Sequence, residues 1–200
     1  MQMDILKDYT QSEFTVKGSR FLSELFPCET QADARNLIKS QKTKYADSTH
    51  VVHAFVIGLG GEILGMSDDG EPSGTAGRPA LDVLKGYGCT NVLLTITRWF
   101  GGTLLGTGGL VKAYGDGAKQ VLAVATEAGL FVPYIEKKDF TFTCDYGTYQ
   151  PVKRFMETLE ISDLNEQFAA DITVNGKIPV SQFEILAAKL KDLSNGRILL

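Results

Sequence analysis

Residues 67–79 read SDDGEPSGTAGRP. Asp68, Asp69 and Glu71 place three carboxylates beside the hydroxyls of Ser73 and Thr75 and the guanidinium of Arg78. Asp69 or Glu71 in that company suits a general base or a magnesium ligand. The spacing is not that of a calcium loop, which sets oxygens at alternate positions ahead of its glycine. The plainer alternative is an ordered loop. In it Ser73 or Thr75 caps the helix that follows, and the carboxylates lie near that helix's positive end.

A second stretch, RWFGGTLLGTGGLVKAYGDG at 98–117, concentrates glycine between an apolar run and a helical one. It is not a P-loop: Gly101 and Gly106 have the separation, but Thr107 stands where lysine must reach the phosphates. Nor is it a dinucleotide fingerprint, since Val111 takes the place of the third glycine. Gly101, Gly102, Gly106 and Gly108 are expected to precede the regular helix and to supply positive φ angles in a loop. Free backbone N–H groups ending at a helix N-terminus would form an anion site, with Arg98 and Lys112 near it in sequence. Gly109 and Gly117 belong to a series with Ala113, Val121 and Ala125 at intervals of four, which close helix packing explains equally well. Trp99 and Phe100 could stack on bases, but adjacent aromatics at a strand end are expected in the core.

Other chemistries find little support. His50 and His53, on a strand, fall on opposite faces and cannot share a metal. Cys28, Cys89 and Cys144 form no CxxC pair and have no histidine beside them, so reduced, buried thiols are expected. No GxSxG elbow occurs. No metal and no cofactor are expected.

The elements that position these loops follow from hydropathy. With 200 residues and 44% hydrophobic content the chain can bury one large core or two small ones. A net charge of -4 excludes a whole-molecule basic field for nucleic acid, so any such contact is local. Residues 13–26 read as a strand, or two broken at Gly18. Thr30 with Asp33 caps a helix to about Lys44, whose other side carries the basic stripe Arg35, Lys39 and Lys42. Residues 50–58 form a strand with a hairpin partner in GEILGMS. A helix follows over 80–85, stopping at Gly86. Then come a strand over 91–100 and a helix to about Thr126.

The pattern changes near Pro133, which divides the chain into domains at 1–134 and 135–200. Phe140, Phe142, Cys144 and Tyr146 alternate with polar residues as a half-buried strand does. A helix begins just after Pro151. Strands over 161–168 and 170–174, a helix through Phe183 to Leu193, and a closing strand over 197–200 complete the order βαββαβ, the ferredoxin-like arrangement. The class is α+β. No signal peptide or membrane span is visible, which places the protein in the cytoplasm with no membrane partner.

Taken together, DDGEPSGTAGRP at 68–79 and TRWFGGTLLGTGGLVKAY at 97–114 resemble the signature of the IMPACT (YigZ, UPF0029) family, of the bacterial two-domain type. Trp99 stands where many members have tyrosine. The resemblance implies an N-terminal domain like domain 2 of ribosomal protein S5. It also implies a ferredoxin-like C-terminal domain similar to the fifth domain of the translocation elongation factor. In eukaryotic members it implies a translation regulator that binds the activator of a stress-responsive initiation-factor kinase, though those proteins carry an additional domain for which this chain has no room. The family brings no established catalytic residues. Asp69, Glu71, Ser73, Thr75, Arg78, Arg98, Gly101 and Gly102 match its signature, and with Lys112 they form the expected binding set. The leading expectation is a translation-associated protein contacting ribosome, RNA or a translation factor, without chemistry of its own. The alternatives are a small hydrolase of a phosphorylated or peptide substrate working through Asp69 and Glu71, and a pure protein-interaction module.

Overall fold

The computed structural model describes residues 3–200. The chain divides at Tyr134/Ile135 into two compact units. Among the described residues the chain is an α+β protein with five helices.

The first unit is built on a five-stranded antiparallel sheet in the order β2-β3-β7-β4-β5. Its strands are β2 (Thr10–Val16), β3 (Ser19–Pro27), β4 (His50–Ile57), β5 (Ile63–Ser67) and β7 (Val92–Trp99). The middle strand, β7, is buried from Val92 to Arg98, as its nearly unbroken run of apolar and β-branched residues requires. The β2–β3 connection needs two consecutive positive φ angles, supplied by Lys17 (47°) and Gly18 (82°), so residues 13–26 become a hairpin. Two helices, α2 (Gly77–Tyr87) and α3 (Gly106–Glu127), cover one face. There Phe21, Leu25, Val52, Ala54, Leu94 and Ile96 meet Leu84, Leu110 and Tyr114. A single helix, α1 (Gln31–Lys44), sits on the other face over Cys28, Ile57 and Leu93.

Local chemistry sets the helix boundaries. Thr30 and Asp33 form the reciprocal capping box at the start of α1. Helix α2 is longer than the expected 80–85. It starts at Gly77 and carries Gly86 inside, and Gly88 in the left-handed conformation stops it. The expected packing role holds for Gly117, where a Cβ would lie 2.8 Å from both the Phe14 ring and Ser23 Oγ, so α3 presses on β2 and β3. It does not hold for Gly109, whose Cβ would meet only Leu105 of the preceding turn. A small second sheet pairs β1 (Asp4–Leu6) with β6 (Cys89–Thr90) and β8 (Phe131–Pro133). Its strands are two or three residues long, too short to show alternation in the sequence.

The second unit runs β9 (Lys137–Cys144), α4 (Tyr146–Met156), β10 (Ser162–Phe168), β11 (Ile172–Pro179) and α5 (Val180–Leu193). Its sheet order is β10-β11-β9. The inward residues of β9, Phe140, Phe142 and Cys144, join Val152, Ile172, Val174, Leu186 and Leu190 in a separate core. Helix α4 begins at Tyr146, ahead of the expected start just after Pro151, because Asp145 caps it by accepting from the Thr148 N–H at 2.7 Å. Pro151 is accommodated inside the helix, where it forgoes one backbone bond. The expected closing strand over 197–200 is not formed. The N–H groups of Arg197 and Ile198 turn back to Ser194 after the left-handed pair Asn195–Gly196, so neither is free for a ladder.

Candidate functional site

Both glycine-rich loops lie at one end of the five-stranded sheet, and a buried polar network joins them. Arg98, next to last in β7, directs its side chain to the face covered by α2 and α3 and is only 4% exposed. Its guanidinium donates to Glu71 Oε1 at 2.6 Å and to Ser19 Oγ at 3.2 Å. Tyr114 of α3 donates its hydroxyl to the same carboxylate oxygen at 2.8 Å. Burial, and next the charge of Glu71, push the Tyr114 phenol far above its ordinary range, so it stays a donor. His50 Nε2 is 3.8 Å from Glu71 Oε2, and its Nδ1 lies 2.8 Å from the Asp69 carbonyl. Ser19 Oγ also accepts the Gly101 N–H at 3.2 Å.

This geometry redirects several expected roles. Arg98 was expected to supply charge to an anion, yet its charge is paired internally with Glu71. The two carboxylates expected as base or magnesium ligand are engaged as well. Glu71 holds Arg98 and Tyr114, while Asp69 Oδ2 accepts the Val51 N–H at 2.7 Å and Oδ1 pairs with Lys42. Helix α2 is capped by neither Ser73 nor Thr75. Asp68 does it from a distance, accepting from Ala76, Gly77 and Gly74 N–H groups at 3.0, 2.8 and 2.8 Å. Burial opposes the charged form of Asp68, but those three backbone donors outweigh it and hold the carboxyl below its ordinary range. Thr75 is buried and donates to the Pro72 carbonyl at 2.7 Å, while Ser73 is exposed.

The four early glycines also divide differently than expected. Gly102 and Gly106 have positive φ (83° and 73°), but Gly101 and Gly108 do not, and Gly106 and Gly108 lie in the first turn of α3. Gly101 is required by proximity: a Cβ there would stand 1.8 Å from the Gly18 carbonyl carbon. Two expected cations do face outward. Arg78 pairs with Asp82 and Lys112 with Asp116, each within its own helix. Trp99 lies at the surface rather than in the core, between the Arg20 guanidinium (3.7 Å) and Tyr45, with its indole donating to Asp47 at 2.9 Å. Phe100 is exposed, and Leu104 at the tip of the second loop is 83% exposed.

Ser19, His50 and Tyr114 are the site residues that the sequence did not place there, whereas Asp68, counted among the loop carboxylates, takes the place expected of a carboxylate near the positive end of α2. Tyr114 carried a signal: a phenol within the apolar stripe of α3 must find a partner when buried. The cysteines are free and buried, and burial pushes Cys28 up to about 11 and Cys89 up to about 12, so both remain thiols at neutral pH. Among the described residues no three His, Cys, Asp or Glu side chains gather as a metal site. None of their helices is long and apolar enough to cross a membrane. The arrangement is a pair of loops joined from beneath by Glu71, Arg98 and Tyr114. It offers glycine backbone, Phe100 and Leu104 outward.

Two family patterns match the chain, the Impact N-terminal domain over residues 17–122 and a domain of unknown function, DUF1949, over residues 142–197. An IMPACT family member of Haemophilus influenzae is 36% identical over 94% of this chain and 90% of its own length. IMPACT family member YigZ of Escherichia coli is 34% identical over 92% of this chain and 90% of its own. A solved structure described as that of a hypothetical protein overlays with a TM-score of 0.72 at 30% identity, covering 98% of this chain and 95% of that one. The two loops and the network beneath them fall inside the first match, and on these likenesses the chain belongs to the IMPACT family.

Proposed function

We propose that this is a translation-associated binding protein of the cytoplasm that uses the two loops to contact the ribosome, tRNA or a translation factor. The observation that carries the reading is the internal pairing of Glu71 with Arg98 and Tyr114. Charged side chains that an enzyme would turn toward substrate here hold the shape of two loops whose outward surface is glycine backbone, the hydroxyls of Ser73 and Thr103, and the apolar side chains Phe100 and Leu104. The translational setting comes from the family, whose eukaryotic members are expected to regulate translation. Arg78 and Lys112 flank the loops and supply the outward positive charge.

Co-sedimentation with ribosomes across a salt series, with tRNA as competitor, tests this. Saturable binding that weakens with salt is expected, and replacing Arg78 or Lys112 with Ala should lower the slope by about one phosphate contact each. Leu104→Asp should weaken binding without changing the slope. Competition by tRNA would assign the contact to tRNA or its ribosomal site, and no sedimentation even at low salt would overturn the reading.

A further inference from the structure

The two edges of the five-stranded sheet are protected very differently. At one edge, β2 turns Gln11, Glu13 and Thr15 outward, with Glu13 and Arg20 of β3 3.9 Å apart, and such polar and charged residues discourage pairing with another strand. At the other edge, β5 reads ILGMS, without charge or proline. Its outer side pairs with no strand among the described residues. Leu64 and Met66 are 41% and 46% exposed on the face shared with α2, beside Leu59 (48%) in the preceding turn. An apolar, uncharged edge is the usual template for an added strand.

The opposite face of β5 has another character. There Ile63 packs with the cluster under α1, and Gly65 bears no side chain because the Phe55 ring stands 2.1 Å from where its Cβ would be. Beside it opens a groove of about 490 Å³ lined by Arg35, Ile38, Lys39, Lys42, Thr43 and His53. Lys42 reaches Asp69 just beyond the end of β5, which puts the basic side of α1 on the β5 side of the sheet. Arg35 and Lys39 have no carboxylate partner among the described residues. Burial, and next the charge of Lys42, lower the His53 pKa, and Lys42 is paired with Asp69, so at neutral pH the groove's uncompensated charge among the described residues comes from Arg35 and Lys39.

We propose that the outer edge of β5 accepts an extended segment of a protein partner whose residues alternate between acidic and apolar. A strand added to β5 turns alternate side chains to the two faces. One set lies along Leu64 and Met66, and the other lies below the cations of α1. The same charges argue against a second copy of this chain as occupant. Antiparallel self-pairing through a two-fold axis would set both α1 helices on one face with their basic sides toward each other.

The test uses the full chain and a short fluorescein-labelled peptide alternating Val with Glu, read by fluorescence anisotropy and by hydrogen exchange of residues 63–66. Saturable binding with new protection of those amides is expected. Met66→Lys should weaken binding at least about tenfold, as should the surface double variant Arg35→Glu with Lys39→Glu, and a peptide alternating Val with Lys should not bind. Ribosome co-sedimentation should be unchanged in Met66→Lys, so this proposal and the loop reading can fail separately. No binding of the Val/Glu peptide, binding indifferent to both variants, or a chain that dimerises through β5 would each overturn it.

Discussion

Arg98 illustrates how far a residue's type understates its role. Its guanidinium lies beside Glu71, Ser19 and the Phe21 ring, and the first of these contacts is a buried ion pair. Such pairs add little net stability over apolar replacements, but breaking one leaves a buried charge uncompensated. Arg98→Ala should therefore lower unfolding free energy by about 3–5 kcal/mol in denaturant titrations, and the double change Arg98→Met with Glu71→Leu should recover much of that loss. The glycines make a parallel contrast. Gly101→Ala drives a Cβ into the Gly18 backbone, which cannot yield, and should cost about 3 kcal/mol. Gly102→Ala has open space and meets only its positive φ, at about 1 kcal/mol. Equal melting temperatures for these two variants would contradict that account.

Elements here are joined by side chains acting across loops. Asp68 follows β5 and caps α2 through the Ala76 and Gly77 N–H groups, while Ser73 and Thr75, nearer in sequence, do not. Its folded pKa is depressed, so the stability it contributes is fully present above the ordinary carboxylate pKa and is lost as pH falls through the lower, folded value. Acid titration of stability should show this loss below about pH 4, the unfolded carboxylate value. Asp68→Asn should be less stable at neutral pH and should lose less on acidification. A parallel shift of the whole curve would count against the cap. Two boundaries expected from the sequence moved for similar reasons. Asp145 draws Tyr146 out of the strand and into α4, and the contacts of Arg197 and Ile198 with Ser194 prevent a closing strand.

At the scale of the molecule, each unit has its own core. Phe21, Leu94 and Tyr114 lie at the centre of one, and Phe142, Ile172 and Leu186 at the centre of the other. A fragment ending at Tyr134 should therefore unfold cooperatively in denaturant, and under the proposed function it should sediment with ribosomes as the full chain does, since both loops lie within it. A fragment that fails to fold would show that the second unit supplies stability to the first.

Much of the architecture was legible in the sequence because hydrophobic periodicity is a local property. The β4–β5 hairpin, the buried β7 and the apolar stripe of α3 follow from it, and the capping box of α1 from the equally local spacing of Thr30 and Asp33, while residues 13–26 read as one strand or two until the turn at Lys17–Gly18 made them a hairpin. The α+β class and the family signature could be read from the same string. What only tertiary structure decided is where the charges go. Glu71 and Arg98 stand 27 residues apart, and Ser19 and Arg98 79 apart. Nothing in local spacing says that they meet, because strand order, not sequence distance, brings the β2–β3 turn, the end of β7 and the acidic loop to one end of the sheet. Burial there makes an unpaired charge costly, and that cost turns an apparent binding cation into the internal brace of the two loops.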